Sequence, residues 1–545
     1  MASTSSQQAS ERESWTPLHE AAAEGDVSRV RRLLVNGAST SIRVGRGLTP
    51  LHLAIIYQKG AVAKVLIDMV DSLDIQDEDG RTPLHLAVEY RCMEALTKLV
   101  RVGANTHIQD KHGQTPLHIA LLRDKRSAID MFLDPHIKNN VQDEHGRTPL
   151  HIAVEYRCVE IVRRLVATGV DTRIQDASGR TPLHIALIYR KETAAEVLID
   201  VEDNLDIQDG EGRSPLHVAA GYGCVETVKK LLARKVNMDI QDKNGRTPLQ
   251  VALAYRDEEE AEVLLAGGGE YDVQDKEGRS AFHYAVKYGH AGIMRKLISA
   301  CVNLRLQDKR GFTPLHLAID CGKKEEAEFL ADVDGRNDVP DVDGTTPLVF
   351  AFQHYYEGTV KKLLFYGANP HAKNKFGRYI LQGCKEVKKF RNILLEMYAW
   401  KGVAIDWTAM KLRPYEEQEC IEYMSECDAE IQQMKNSKVY GTTLSYYAFA
   451  KAPLRKAAVY LENENVRNAL LGYPAILIFP HYSDLIVFRS GKAEERRVLA
   501  AKCVDCFAIL CRNLPPLIRI SIDIILGCLN ERDMENFVAA FQFNS

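Results

Sequence analysis

A formal charge of −4 over 545 residues is too small to draw the chain in bulk toward nucleic acid or anionic lipid. No stretch approaches the roughly 20 consecutive apolar residues that a membrane-spanning helix needs. The best runs, Tyr473 to Phe479 and Ile518 to Leu529, are short or carry charge, so a soluble chain is expected. The twelve cysteines are sparse and irregular, which excludes a disulfide scaffold and points to a reducing compartment, the cytoplasm first with the nucleus also open. No Gly-rich phosphate loop, nucleophile elbow or zinc-spaced cluster occurs, so the sequence offers no catalytic machinery and implies no cofactor and no metal. Cys503, Cys506 and Cys511 could share a helix face, but apolar neighbours and the lack of a nearby histidine cluster mark them as core residues. Met1 to Ser14 is polar and Ser/Gln-rich, which predicts a short disordered lead-in at 1–14 and not a secretory signal.

What the chain has is repetition. The Thr or Ser of a Thr-Pro-Leu-His-like tetrad stands at Thr16, Thr49, Thr82, Thr115, Thr148, Thr181, Ser214, Thr247, Ser280, Thr313 and Thr346, each 33 residues after the last. A degraded twelfth copy, Gly377 to Leu381, keeps the register and loses the tetrad chemistry. Such a length is too great for one compact core, and a fixed period of this size is the mark of a stack that grows in one dimension.

Each unit reads physically. In Gln76-Asp77-Glu78-Asp79-Gly80-Arg81 the Asp and Gly predict a tight turn, and hence a hairpin finger, because Gly accepts a positive φ. Thr82 should cap the next helix, with Pro83 at the first helical position, where a missing N–H costs nothing. Leu84, Ala87 and Val88 supply its apolar face, and a second helix carrying Ala95, Leu96 and Leu99 should pack back against it.

The pattern resembles the ankyrin repeat over residues 15–400. The resemblance implies an all-α fold, a solenoid of helix-turn-helix units with β-hairpin loops, followed by a small helical C-terminal domain at 401–545. It also implies that His19, His52, His85, His118, His151, His184, His217, His283 and His316 tie neighbouring repeats by hydrogen bonds to backbone. The first helix in that family usually ends in Gly, whereas this chain has Arg91, Arg157, Arg190 and Arg256, with Gly223 and Gly289 keeping the family choice. An Arg there either bears a left-handed backbone cost or changes how the helix ends.

A second period of 66 residues lies beneath the first. Units at Thr82, Thr148, Ser214 and Ser280 share a Val-x-Tyr-Arg/Gly-Cys-like segment, and those at Thr49, Thr181, Thr247 and Thr313 an Ala-Glu-Val-Leu-like one. Copying of repeat pairs accounts for this, and makes Cys92, Cys158 and Cys224 duplicated core residues.

Ankyrin arrays present finger tips and first-helix ends on one concave face. Tyr57, Tyr90, Tyr156, Tyr189, Tyr222, Tyr255 and Tyr288 all sit eight residues after their tetrad Thr or Ser, near those ends. Tyrosine combines a broad apolar ring with a polar tip and little rotamer entropy to lose, which suits a partner-binding groove. The same regularity would follow from duplication if each ring merely packed between repeats, and both readings stay open.

Beyond residue 400 the register ends, and Trp400 and Trp407 lie near the boundary. Helical patterns run through Glu416 to Lys438, Leu454 to Leu471, Ala493 to Arg512 and Pro516 to Phe541, with loops marked by Gly472, Pro474, Pro480 and Gly491. The segment 513–541, with Leu514-Pro515 leading into Ile518, Ile522, Ile525, Leu529 and then Met534, resembles the start of an F-box. Together with Cys427 to Lys435 and Phe479-Pro480-His481-Tyr482 it resembles the PRANC domain of pox proteins, also found in insects, especially parasitoid wasps, and in their intracellular bacteria. The resemblance implies a monomeric, non-enzymatic substrate receptor. The repeats choose a target protein, and Leu514, Pro515, Ile518, Ile522, Ile525, Leu529 and Met534 dock on the Skp-type adaptor of a cullin–RING ubiquitin ligase. The same residues serve equally well as the domain's own core. The runner-up is an ankyrin scaffold that sequesters a partner without ligase recruitment. A nucleic-acid groove ranks third, because tips such as Asp77, Glu78 and Asp79 are acidic.

Overall fold

The computed structural model describes residues 14–133, 139–156, 159–255, 258–334 and 337–370, the helix Pro414–Asn436, and scattered positions elsewhere. Two compact units divide the chain, residues 1–284 and 285–545. In both, the described residues form helix pairs, and among them no helix is long and apolar enough to cross a membrane.

The unit at Thr82 shows how sequence makes the pair. Thr82 adopts extended backbone and its hydroxyl accepts the His85 N–H, Pro83 opens the helix Pro83–Glu89, and Leu84, Ala87 and Val88 are fully buried. The second helix, Met93–Arg101, buries Ala95, Leu96 and Leu99 on one stripe. In the first unit, first helices stack on first helices and second helices on second helices, so each apolar stripe is covered by the repeats on either side.

Between units the chain makes a finger shorter than a hairpin of strands. Asp77 N–H donates to Arg81 O at 2.9 Å, Gly80 N–H donates to Asp77 O at 3.0 Å, and the Asp77 carboxylate accepts the backbone N–H groups of Asp79 and Arg81. Among the described residues no strand forms, and in the repeats the pairing is limited to a bridge between Val44 and Leu48. The tightness follows from Asp77 satisfying the turn amides that a strand partner would otherwise take.

Neighbouring fingers are stapled together. Ala177 N–H donates to His145 O at 2.9 Å and Gly210 N–H to Ser178 O at 2.8 Å. A glutamine in most fingers doubles the link. The side-chain amide of Gln142 donates to its own turn at Gly146 O (2.8 Å) and to Gln175 O of the next finger (2.9 Å), and Gln175 and Gln208 repeat the pattern.

The 66-residue period has a structural form. Apart from Arg126–Phe132, which spans seven residues, second helices span nine residues at Val27–Val35, Met93–Arg101, Val159–Ala167, Val225–Ala233, Ala291–Ser299 and Glu357–Phe365. They span ten or eleven at Gly60–Met69, Glu192–Val201, Glu258–Gly267 and Lys324–Asp334. Lys98 in a short helix reaches back to Lys64 O and the Asp68 carboxylate of the long helix before it, and Lys362 does the same to Glu328 O and Asp332. Cys92 and Cys224 are buried as duplicated core residues should be, and Cys158 lies outside the described residues.

The end of the first helix is one geometry with different residues. Gly25, Gly223, Gly289 and Gly322 have positive φ there, and so do Gln58 (55°), Arg91 (58°), Asp124 (47°), Arg190 (52°) and Tyr355 (62°). The arginines therefore bear the left-handed cost and leave the helix end unaltered; Arg157 and Arg256 lie outside the described residues. Since an L-residue in that region loses about 1–2 kcal/mol and a glycine loosens the unfolded chain by about 0.4–1 kcal/mol, Arg91→Gly should stabilise the array by about 0.5–1 kcal/mol. Urea unfolding of the variant beside the parent measures it.

The C-terminal region is described mainly by Pro414–Asn436, close to the expected Glu416 to Lys438. This helix buries Cys420, Cys427, Ile431 and Met434, and Tyr423 donates its hydroxyl to Glu396 at 2.6 Å. The degraded twelfth copy, Trp400, Trp407, Phe479 to Tyr482 and the three later helical patterns, apart from Glu494 and Val498, lie outside the described residues.

Candidate binding surface

The base of each finger and the end of the following helix face the same way. Arg81, the residue before the Thr82 cap, is held by the buried Asp77 carboxylate at 3.0 Å and reaches Glu89, one residue before Tyr90, at 3.2 Å. Arg147 repeats this with Asp143 and Glu155, next to Tyr156. Arg213 and Arg246 are anchored by Asp209 and Asp242 in the same manner, but Gly221 and Ala254 replace the glutamate. Burial opposes charge at Arg213, and the Asp209 carboxylate outweighs it, holding the guanidinium firmly protonated.

This corrects the expectation of acidic tips. Asp77 points inward and is neutralised by Arg81, while Asp79 pairs with Arg46 and Arg81. The finger carboxylates serve the turn, and the residue left to face solvent is Glu78.

The tyrosines lie at the ends of the first helices. Tyr57, Tyr156, Tyr189, Tyr222 and Tyr255 are 42%, 51%, 47%, 39% and 65% exposed, and Tyr90 and Tyr288 are half-buried. Some packing between repeats is present too. Tyr57 meets Trp15 edge-on at 6.3 Å, and a Cβ on Gly221 would stand 3.5 Å from the Tyr255 ring. The row is broken at Thr115, where Arg123 takes the place, and ends at Thr313, where Cys321 does. Its longest stretch in the first unit is thus Tyr156, Tyr189, Tyr222 and Tyr255.

Most tetrad histidines hold this surface in register, but the expected link at His52 is not made, its buried Nε2 finding no hydrogen-bond partner. Ser214 N–H and hydroxyl donate to His217 Nδ1 at 3.2 and 2.9 Å, and His217 Nε2–H donates to Arg246 O of the next repeat at 2.8 Å. His85, His118, His151 and His184 make the same link to Gln114, Arg147, Arg180 and Arg213, as His316 does to Thr345. Burial pulls the imidazoles of His217 and His316 down to about 4. Where the sequence has Gln250, its Oε1 accepts Thr247 N–H at 2.9 Å and its Nε2 donates to Arg279 O at 3.1 Å. A neutral amide thus fills both roles of the neutral imidazole.

Among the described residues no group of three or more His, Cys, Asp or Glu could hold a metal ion. Cys503, Cys506 and Cys511, and the adaptor-facing set Leu514, Pro515, Ile518, Ile522, Ile525, Leu529 and Met534, lie outside the described residues.

A family model described as ankyrin repeats in three copies matches residues 18–110, 91–176, 160–239, 222–305 and 292–374. The chain is an ankyrin-repeat protein. Among solved structures the ankyrin chain is similar to the crystal structure of the ankyrin repeat domain of Bcl-3, described as a unique member of the IkappaB protein family. The identity is 31%, covering 37% of this chain and 93% of that one, with a TM-score of 0.34. No curated protein sequence matches it. Ankyrin repeats indicate a protein-binding role for this ankyrin protein.

Proposed function

We propose that the chain is a substrate receptor, in which the ankyrin repeats hold a target protein and the helices at 513–541 dock on the Skp-type adaptor of a cullin–RING ubiquitin ligase. The observation that carries the target-binding half is the row of exposed tyrosines at one register position, flanked by finger-base arginines. Rigid amphipathic rings in a row give contact area at little entropic cost. The ligase half is supported by the Leu514-Pro515 segment with Ile518, Ile522, Ile525, Leu529 and Met534 at helical spacing. The same repeats without adaptor docking would act as a scaffold that sequesters its partner.

Affinity purification separates the two. The full chain should bring down adaptor, cullin and target, and a chain ended after Arg512 the target alone. A full chain carrying Ile518→Asp and Ile522→Asp should match the truncated one. Adaptor and cullin missing from all three would retire the ligase reading and leave the scaffold.

A further inference from the structure

From Arg147 to Arg279 every finger base carries an arginine, at Arg147, Arg180, Arg213, Arg246 and Arg279. Three of them are pinned twice to one oxygen of a buried carboxylate. Nε and Nη2 donate at 3.0 and 2.9 Å from Arg147 to Asp143, at 3.0 and 2.8 Å from Arg213 to Asp209, and at 2.9 and 2.7 Å from Arg246 to Asp242. Arg279 breaks the series. The Tyr284 hydroxyl donates to Asp275 Oδ2 at 2.7 Å and so takes the oxygen that an arginine holds elsewhere. Arg279 Nε is left 3.4 Å from that oxygen, buried and without a hydrogen bond, and the guanidinium carbon lies 5.5 Å from the centre of the Tyr284 ring. Arg180 also lacks an ion pair among the described residues, but Asp176 beside it is part-exposed and open to water, whereas Asp275 is buried.

One side chain makes the difference. Tyr284 occupies the position of Leu86, Ile152, Val218 and Val251, which have no polar atom to offer the finger. A buried carboxylate needs donors, and where the tyrosine supplies one the arginine is no longer drawn inward. The guanidinium cannot shed its charge and has five N–H donors to satisfy. Neither Nη of Arg279 has a hydrogen-bond partner among the described residues, and 25% of the side chain is exposed. Carboxylates that could compensate are missing. Glu89 and Glu155 pair with Arg81 and Arg147, but the corresponding residues of the later repeats are Gly221, Ala254 and Lys287. The tip of the same finger carries Lys276 beside Glu277, and the tip before it Lys243, so the tips add no surplus of negative charge.

We infer that the Arg279 guanidinium is a docking point for an Asp or Glu carboxylate in an acidic segment of the target. With Nε buried, the two Nη groups donate side by side to the two carboxylate oxygens, the geometry in which guanidinium and carboxylate match best. Tyr284 is the positioning residue, because holding Asp275 is what keeps Arg279 available. This rests on the reading of the repeats as target-binding and names the chemistry of one contact within it.

The test is calorimetric titration of the full chain at low salt with a twelve-residue oligoglutamate, beside an oligolysine of the same length. Oligoglutamate should bind and oligolysine should not. Arg279→Gln should weaken oligoglutamate about tenfold, and Arg246→Gln, whose guanidinium Asp242 already holds, about twofold or less. Tyr284→Phe removes no charge, yet it frees Asp275 to recapture Arg279 and should weaken binding several-fold, with melting curves showing every variant folded. No binding of oligoglutamate, equal losses for Arg279→Gln and Arg246→Gln, or unchanged binding by folded Tyr284→Phe would overturn the inference. If those results appear while Tyr156, Tyr189 and Tyr222 variants still lose the target in a purification, the carboxylate assignment falls and target binding by the repeats stands.

Discussion

Gly179→Ala should cost about 3 kcal/mol of stability, whereas Gly169→Ala should cost about 1 kcal/mol. Both glycines have a φ near +75°, 73° at Gly179 and 77° at Gly169, so the left-handed penalty is shared. Their surroundings differ. A Cβ on Gly179 would lie 2.5 Å from Gly210 N and 3.0 Å from Asp209 C, all backbone of the next finger, while nothing lies within 4 Å of one on Gly169. Gly210 N–H is itself donated to Ser178 O, so the neighbour cannot move away without breaking the staple. Midpoints of urea unfolding for the two variants measure the difference, and equal losses would show that finger-to-finger contact contributes little.

Acid should loosen the array through its histidines. Burial holds His217 and His316 at about 4, below the roughly 6.5 of a free imidazole. Between those values the unfolded chain binds protons that the folded chain refuses. The stabilisation is therefore complete above pH 6.5 and is lost as pH falls toward 4. At pH 5 the loss is about 2 kcal/mol for each such histidine. The geometry says why: His217 Nδ1 accepts from Ser214, and a proton there would face the Ser214 N–H. Gln250 shows that an amide can replace the ring. His217→Gln should therefore retain about 2 kcal/mol more than the parent at pH 5 and match it near pH 7.5. Denaturation of both proteins across this range checks it, and parallel profiles would rule out the histidine as a source of acid sensitivity.

The helix pairs were legible because the 33-residue period fixes cap, proline and apolar stripe together; Thr82, Pro83, Ala87 and Leu99 sit where the pattern puts them. The histidine links followed from the family resemblance. Less could be read at the fingers. Asp77 looks like a surface charge in sequence, and only the fold turns its carboxylate onto the turn amides and Arg81. The glutamine ladder escaped notice because Gln142 looks like an ordinary polar loop residue until the next finger brings Gln175 O within reach. Likewise the 66-residue period is visible as Ala-Glu-Val-Leu, but that Lys98 reaches back to Asp68 of the preceding second helix is seen only in the fold. At Arg91 the sequence left two outcomes open, and the positive φ decides between them.

The most direct measurement replaces Tyr156, Tyr189 and Tyr222 with serine in the full chain, then follows both target capture and thermal unfolding. Rings that serve the partner give a variant that melts with the parent and no longer brings down the target. A variant that captures its target unchanged but unfolds at lower temperature would assign the tyrosines to packing and contradict the binding face.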